Sequence, residues 1–171
     1  MILITHIIIA TAVAKPLAGG VPFWGLLIGW ASHYLADFIP HWEYQLISLT
    51  EKSGNSLETE VKSASFKEKA ADYLLVTSDA LLGALISFII IAPINSHQLI
   101  YWFLVVLGGI LPDFLQFLYY IKKWNFLKPL QTLHNFFHSK IRLKGSLPLN
   151  LIGVPLQIII FAAAAYLALL R

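Results

Sequence analysis

The chain has 171 residues, of which 58% are hydrophobic and only 12% are charged, and it contains no cysteine. A soluble domain has roughly 45–50% apolar and about 25% charged residues, and one of this size lacks the interior volume to cover so much apolar surface. The composition therefore excludes an ordinary soluble domain, and the lack of cysteine excludes disulfides and thiolate metal ligands.

Apolar stretches with the length of a transmembrane helix recur along the chain. About 20 mostly apolar residues are needed to cross about 30 Å of hydrocarbon. The segment 1–14 is short for a full crossing, and 21–39 follows it as a second candidate. Residues 70–94, 97–121 and 147–170 satisfy the length requirement well. We therefore predict an all-α fold, a polytopic membrane helix bundle with about four to five transmembrane helices.

Two polar segments, 43–69 and 122–146, separate these stretches and hold ten of the twelve Lys and Arg residues. Basic loops stay on the cytoplasmic side of a membrane. We therefore predict that both segments are cytoplasmic loops of a single integral membrane domain, residues 1–171. The same distribution accounts for the net charge of +3 without nucleic acid as a partner, because the basic residues lie in short segments between long apolar ones.

Ionisable side chains within and beside the apolar stretches are the main signal of function. Such groups are costly in a bilayer, usually have partners, and usually mark a functional site. The predicted topology places eight of them toward the cytoplasmic face, whereas His97 falls on the opposite side. The eight are His6, His33, Asp37, His41, Asp79, Asp113, His134 and His138.

The spacing of these residues is typical of metal ligands. His33 and Asp37 are four residues apart and share one face of a helix, and so do His134 and His138. Two ligands one turn apart commonly hold a divalent ion on a helix. Since His and carboxylate without sulfur suit zinc, manganese, iron or nickel, we predict one or two divalent ions, with zinc or manganese favoured. The predicted metal ligands are His33, Asp37, His41, Asp113, His134 and His138.

Two further residues are predicted to act beside the metal. Asp79 lies roughly 10–15 Å from the cytoplasmic start of its helix, and His6 lies near the cytoplasmic end of the first segment. We assign both to catalysis, as a base, a ligand or a residue that orients a ligand. The alternative for Asp79 is a hydrogen bond to a neighbouring hydroxyl group. Asp72, at the edge of the same helix, is interpreted as solvated.

Four short motifs resemble those of a known family. They are Thr5-His6, Gly29-Trp-Ala-Ser-His33-Tyr-Leu-Ala-Asp37, Gly109-Ile-Leu-Pro-Asp113 and His134-Asn-Phe-Phe-His138-Ser139. These are similar to the motifs of the membrane-bound predicted metal-dependent hydrolases, including the LexA-regulated inner-membrane group. The resemblance implies a multi-helix membrane protein with a hydrolytic metal centre, in the cytoplasmic (inner) membrane of a prokaryote.

The leading hypothesis for function is a metal-dependent hydrolase that acts near the cytoplasmic face on an ester or phosphoester of a lipid-like substrate. A lipid or polyprenyl phosphate reaches this depth from the bilayer, and Lys140, Arg142 and Lys144 are predicted to bind its phosphate. A serine or thiol nucleophile is not expected, since there is no Gly-x-Ser-x-Gly motif and no cysteine.

Two other functions are compatible with the same residues. Chains of Asp and His also mark the pathway of a metal-ion or proton transporter. Such a pathway needs polar groups in the outer half of the membrane, where this sequence has few. A non-catalytic structural membrane protein, in which His–Asp pairs only stabilise helix packing, is the third interpretation.

Overall fold

The computed structural model consists of α-helices, apart from a two-residue antiparallel pairing of Leu49–Thr50 with Glu60–Val61. It describes residues 1–44, 46–50, 60–61, 64–138 and 149–170. Short 3₁₀ helices follow α1 and precede α5, and a π-helical turn leads into α6. In this part of the chain the α-helices are α1 (Leu3–Ala14), α2 (Phe23–Asp37), α3 (Phe66–Ile91), α4 (Ser96–Lys122), α5 (Lys128–His138) and α6 (Val154–Leu170).

Within the described residues, three helices are long and apolar enough to cross a membrane, namely α3, α4 and the segment Leu151–Leu170 that contains α6. The 26 residues of α3 and 27 residues of α4 extend over about 40 Å each, at about 1.5 Å per residue. Large apolar side chains on α3, such as Leu74, Leu81 and Ile89, are exposed. Such a surface suits contact with lipid, so the structure agrees with the prediction of a helical membrane protein.

The first two helices are shorter than a membrane is thick. α1 has 12 residues and α2 has 15, which correspond to about 18 and 22 Å, whereas the hydrocarbon core is about 30 Å across. The stretch 21–39 therefore forms a shorter helix than the sequence suggested. α1 packs against α2, α3, α4 and α6, and its Ile7 and Ile8 are fully buried. Protein rather than lipid surrounds most of α1.

Glycine residues bring α2 and α4 into close contact. A Cβ atom on Gly29 would lie 2.6 Å from the Val105 carbonyl oxygen, and one on Gly108 would lie 2.4 Å from the Leu26 carbonyl oxygen. Small residues of this kind let the backbones of membrane helices approach each other. The contact matters for the site, because His33 lies one turn beyond Gly29 and Asp113 lies just over one turn beyond Gly108.

The two predicted cytoplasmic loops contain parts of helices. Ser65 and Glu68 form a capping box, in which the Ser65 hydroxyl accepts from the Glu68 amide and the Glu68 carboxylate accepts from the Ser65 amide. α3 therefore begins at Phe66, four residues before the predicted stretch 70–94. In the second loop, 122–146, the structure describes a separate helix, α5, which places two histidines one turn apart.

Candidate metal centre

Four helices and one connecting segment deliver polar side chains to a common point. The apolar face of α5 packs on the end of α2, where the Phe137 ring lies 5.0 Å from the Tyr34 ring and 4.8 Å from the Phe38 ring, centroid to centroid. This packing turns the histidines of α5 toward the last turn of α2. The residues that meet there are His6 of α1, His33 and Asp37 of α2, Asp113 of α4, His134 and His138 of α5, and His41 and Glu43 of the segment after α2.

Asp37 is the centre of this cluster. Its Oδ1 atom lies 3.2 Å from His6 Nε2, and its Oδ2 atom lies 3.2 Å from His33 Nε2. The same Oδ2 is 3.1 Å from Nε2 of both His134 and His138. Asp37 is only 3% exposed. A buried carboxylate surrounded by imidazoles is costly unless positive charge compensates it.

A first ligand group consists of His33, Asp113 and His134. The Asp113 Oδ1 atom lies 3.5 Å from Nε2 of each of the two histidines. One ligand atom from each residue can be chosen so that all lie within 4.8 Å of one another. His6 stacks on His33 with 3.8 Å between ring centroids, so it borders this group on the side of α1.

A second ligand group consists of His41, Glu43 and His138. The Glu43 Oε1 atom lies 2.9 Å from His41 Nε2 and 3.5 Å from His138 Nδ1. Glu43 is absent from the residues that the sequence pattern singled out, because it lies outside the apolar stretches. The one sequence signal is its position two residues after His41, in the segment that follows α2.

Backbone carbonyls fix the orientation of two imidazoles. His33 Nδ1 lies 2.8 Å from the Gly109 carbonyl oxygen, and His41 Nδ1 lies 2.6 Å from the Ile39 carbonyl oxygen. A carbonyl oxygen only accepts, so Nδ1 carries the proton in each ring and donates it. In a neutral ring Nε2 is then an acceptor. Both Nε2 atoms face carboxylate oxygens, which are also acceptors, so either the ring carries a second proton or a metal ion lies between them.

Unpartnered polar atoms point to the same requirement. Among the described residues, both ring nitrogens of His6, the Nε2 atom of His33 and the Oδ1 atom of Asp37 are buried without a hydrogen-bond partner. Buried polar atoms are normally satisfied, and each exception needs an explanation. The donor set is imidazole nitrogen and carboxylate oxygen, which suits a divalent transition metal. These residues fit a metal ion, and the chain alone does not identify it.

Opposite charges in and beside the second ligand group stabilise one another. Partial burial raises the pKa of Glu43, but the Met1 amino group 2.9 Å away and the His41 hydrogen bond lower this pKa well below its usual value. Burial lowers the pKa of His138, but its hydrogen bond to Asp37 and the charge of Glu43 raise this pKa above the usual value overall. Negative charge in the cluster thus attracts positive charge to this end of the site.

Asp79 contacts backbone rather than the cluster. Its Oδ2 atom accepts from the amide of Leu3 at 2.7 Å and, more weakly, from that of Ile4 at 3.4 Å. α1 has no side-chain cap of its own at Ile2, so Asp79 of α3 caps α1 from a neighbouring helix. This arrangement sets the position of α1, on which the other predicted catalytic residue, His6, lies.

Asp72 was interpreted as solvated, and the structure corrects this. Asp72 is 6% exposed, and its carboxylate accepts from the amides of Ile47 and Ser48 at 3.0 and 2.7 Å. The segment after α2 folds back on α3, and its amides would otherwise lack partners. The residues predicted to bind a substrate phosphate, Lys140, Arg142 and Lys144, lie outside the described residues.

An apolar cavity of about 330 Å³ adjoins the cluster. It lies between α1 and α6 and is lined largely by apolar side chains, among them Ile4, Val154, Ile158 and Phe161. Thr5 and Trp42 also line it, and they are next in sequence to His6 and to His41 and Glu43. The walls of the cavity therefore include the sequence neighbours of His6 and of two members of the second ligand group.

Gln157 of α6 joins these segments. Its side-chain oxygen accepts from the Trp42 amide at 3.1 Å, and its side-chain nitrogen donates to the Thr5 hydroxyl at 3.2 Å.

Comparisons of the chain with protein-family models, curated proteins and solved structures find no match. The arrangement of the residues themselves is therefore the basis for any functional conclusion.

Proposed function

We propose that this chain is a membrane-embedded, metal-dependent hydrolase that cleaves an ester or phosphoester of a lipid-like substrate. One observation supports it most: two histidines and a carboxylate from three different helices, His33, His134 and Asp113, direct ligand atoms to one buried point. Asp37 lies beside them, and its Oδ1 atom has no hydrogen-bond partner among the described residues. A scaffold that only packed helices would not need to bring so many unsatisfied acceptors together.

The proposal places the centre near the cytoplasmic face of a prokaryotic inner membrane. The basic segments that follow α2 and α4 favour that side, and the ligands lie in the last two turns of α2 and in the C-terminal half of α4. The two short helices, α1 and α2, bring the number of membrane segments to five when they are counted with α3, α4 and α6. This count rests on the charge pattern and on the family resemblance described above.

The residues of the centre have distinct roles in this proposal. His33, Asp113 and His134 hold a divalent ion, zinc or manganese, with Asp37 as a further ligand. Such an ion supplies Lewis acidity and lowers the pKa of a water molecule that it binds. His33 keeps its orientation through the Gly109 carbonyl, as is usual for metal-binding histidines. His6, with both ring nitrogens free of hydrogen bonds among the described residues, is the proposed proton carrier.

The apolar cavity favours a substrate with a hydrocarbon tail. Its walls are formed by α1 and α6, and residues next to the ligands contribute to it. A lipid molecule from the surrounding bilayer can place its tail there while its polar headgroup bond reaches the centre. Lys140, Arg142 and Lys144 are retained as proposed contacts to a phosphate of the headgroup.

A transporter is the alternative, and the polar groups of the outer half do not favour it. Thr11 donates to the Ile7 carbonyl at 2.7 Å, and its hydroxyl lies 2.6 Å from that of Ser87. The Tyr101 hydroxyl donates to the Ala14 carbonyl at 2.7 Å. These hydroxyl groups form hydrogen bonds with each other and with backbone carbonyls. They do not form a line of free ligands leading away from the centre within the described part of the chain.

The test is hydrolysis by purified protein in detergent, loaded with Zn²⁺ or Mn²⁺. Phospholipids, polyprenyl phosphates and carboxylic ester lipids are offered in turn, and release of phosphate, alcohol or acid is measured. We expect turnover of one class that disappears on chelation and in Asp113→Asn. Full turnover in metal-free protein or in Asp113→Asn would rule out the proposed role. Metal-dependent flux across proteoliposomes without any hydrolysis would favour the transporter.

A further inference from the structure

We propose that the centre holds two divalent ions, with the second bound by His41, Glu43 and His138, and with Asp37 bridging the pair. This inference rests on the proposed function and extends it, because it assigns Glu43 and the connecting segment after α2 to the metal site. The cation bound by that segment would be a hard or borderline divalent ion such as Zn²⁺ or Mn²⁺.

Four candidate ligand groups occur among the described residues; the two described above do not share a residue, and the other two both contain Asp37. His33, Asp113 and His134 form one, and His41, Glu43 and His138 form the other, each with ligand atoms within 4.8 Å of one another. A single tetrahedral ion uses about four ligands. The cluster presents four imidazoles besides His6, three of them in contact with Asp37 Oδ2 or with Asp113, and together with three carboxylates this is more than one ion requires. The excess ligands are grouped on one side, around Glu43.

The contact between His41 Nε2 and Glu43 Oε1 needs a proton or a metal ion between the two atoms. His41 Nδ1 donates to the Ile39 carbonyl, so its Nε2 is an acceptor when the ring is neutral. That Nε2 lies 2.9 Å from Glu43 Oε1. Two acceptors at this distance repel unless a proton or a metal ion lies with them. His138 presents a third nitrogen, Nδ1, to the same oxygen at 3.5 Å.

Asp37 is positioned to join the two ions. Its Oδ2 atom contacts His33 and His134 of the first group and His138 of the second. Its Oδ1 atom faces His6 and lies 3.9 Å from His41 Nε2. Two-metal hydrolytic sites place their ions about 3.5–4 Å apart. A carboxylate whose oxygens contact both groups suits such a pair.

The Met1 amino group also lies 2.9 Å from Glu43 Oε1, so the experiment must separate a metal ion from an ammonium group. The full chain is purified in detergent, stripped, loaded with Mn²⁺ alone, and its bound manganese is measured by mass spectrometry. We expect two equivalents. Glu43→Gln and His41→Ala are each expected to retain one, and the exposed His97→Ala, the matched control, to retain two.

Electron paramagnetic resonance supplies the second readout. Mn²⁺-loaded wild type should show the spectrum of a coupled pair, and Glu43→Gln should show that of an isolated ion. Circular dichroism identifies any variant that fails to fold, and Glu43→Gln serves if His41→Ala does not fold, because Glu43 is half exposed at the site's edge.

The outcomes separate the two proposals. One equivalent in wild type that is unchanged in Glu43→Gln would overturn the second ion and leave the proposed function intact. Two equivalents retained in both Glu43→Gln and His41→Ala would also overturn it, since the second ion would then have other ligands. No bound metal in wild type would overturn both the second ion and the hydrolase.

Discussion

Gly29 of α2 and Gly108 of α4 meet backbone to backbone, and a Cβ atom on Gly108 would lie 3.1 Å from the Gly29 Cα atom and 2.4 Å from the Leu26 carbonyl oxygen. No side chain fits between the two helices at this point. The contact sets the separation of His33 from Asp113, whose ligand atoms are 3.5 Å apart. Helix packing some distance from the ligands thus controls the geometry of the metal centre.

Substitution of Gly108 by Ala should therefore damage both stability and metal binding. The new methyl group clashes with backbone, which cannot rotate away, so overpacking of about 1–3 kcal/mol is expected. The measurements are the thermal midpoint in detergent and the bound metal per chain. Gly19→Ala is the control, because a Cβ atom there meets nothing within 4 Å. Equal midpoints and metal contents for the two variants would contradict this account of the interface.

Asp37→Asn is expected to abolish metal binding while the helices remain assembled. The Asp37 carboxylate contacts five imidazoles. The amide of the variant keeps the shape of the carboxylate but lacks its charge. It also presents N–H donors to imidazole nitrogens that should bind the metal ion. We predict less than about one-tenth equivalent of metal, because each ligand group loses its shared anion. Elemental analysis and circular dichroism check this. Undiminished metal in Asp37→Asn would remove Asp37 from the centre.

Metal should stabilise the wild-type protein against unfolding. An ion present at about 100 times its dissociation constant adds about 2.7 kcal/mol to the free energy of unfolding when only the folded state binds it. We therefore expect the thermal midpoint to fall on chelation and to recover on addition of Zn²⁺ or Mn²⁺. His33→Ala should lose this response. A midpoint insensitive to chelator in wild type would favour the purely structural interpretation of the cluster.

Asp79 is predicted to affect stability more than metal binding. Its carboxylate caps the start of α1 through the amides of Leu3 and Ile4, and loss of a helix cap costs about 0.5–2 kcal/mol. Asp79→Ala should lower the thermal midpoint and retain most of the bound metal, and Asp79→Asn should be milder because the amide oxygen still accepts. Complete loss of metal in Asp79→Ala without any change in midpoint would instead make Asp79 a ligand.

The apolar cavity can be tested by filling it. Ile158 lines the cavity and Ile159, the next residue on α6, is not among its lining residues, although the two are similarly exposed, at 61% and 63%. Ile158→Trp should raise the KM for long-chain lipid substrates several-fold and leave short-chain soluble esters unaffected. Ile159→Trp is the matched control and should behave as wild type. The same KM for long chains in both variants would place the hydrocarbon tail elsewhere.

The charge and hydropathy patterns predict much of this site. The basic segments that follow α2 and α4 predict that the C-terminal ends of both helices lie on the cytoplasmic side. The sequence therefore predicts Asp37 and Asp113 toward the same face of the membrane. The i, i+4 spacing of His134 and His138 predicts their shared helical face, and the structure describes them on one helix. These inferences depend only on local periodicity and on the cost of charge in a membrane, which a single sequence records directly.

Other features depend on contacts between segments distant in the chain. Asp79 and Leu3 are 76 residues apart, so the carboxylate's role as a cap for another helix has no local sequence signal. Glu43 resembles any loop acid until α5 brings His138 beside it. Asp72 looks solvated until the chain after α2 folds back onto it.

The sequence by itself thus determined that the protein is helical, that it belongs in lipid and which residue types are available for chemistry, because composition and periodicity act residue by residue. Only the tertiary structure decided which of those residues lie close enough to share a metal ion. That choice depends on how closely α2 and α4 approach at Gly29 and Gly108 and on where α5 packs, since an acceptor needs a partner within about 3 Å and only three-dimensional packing sets distances on that scale.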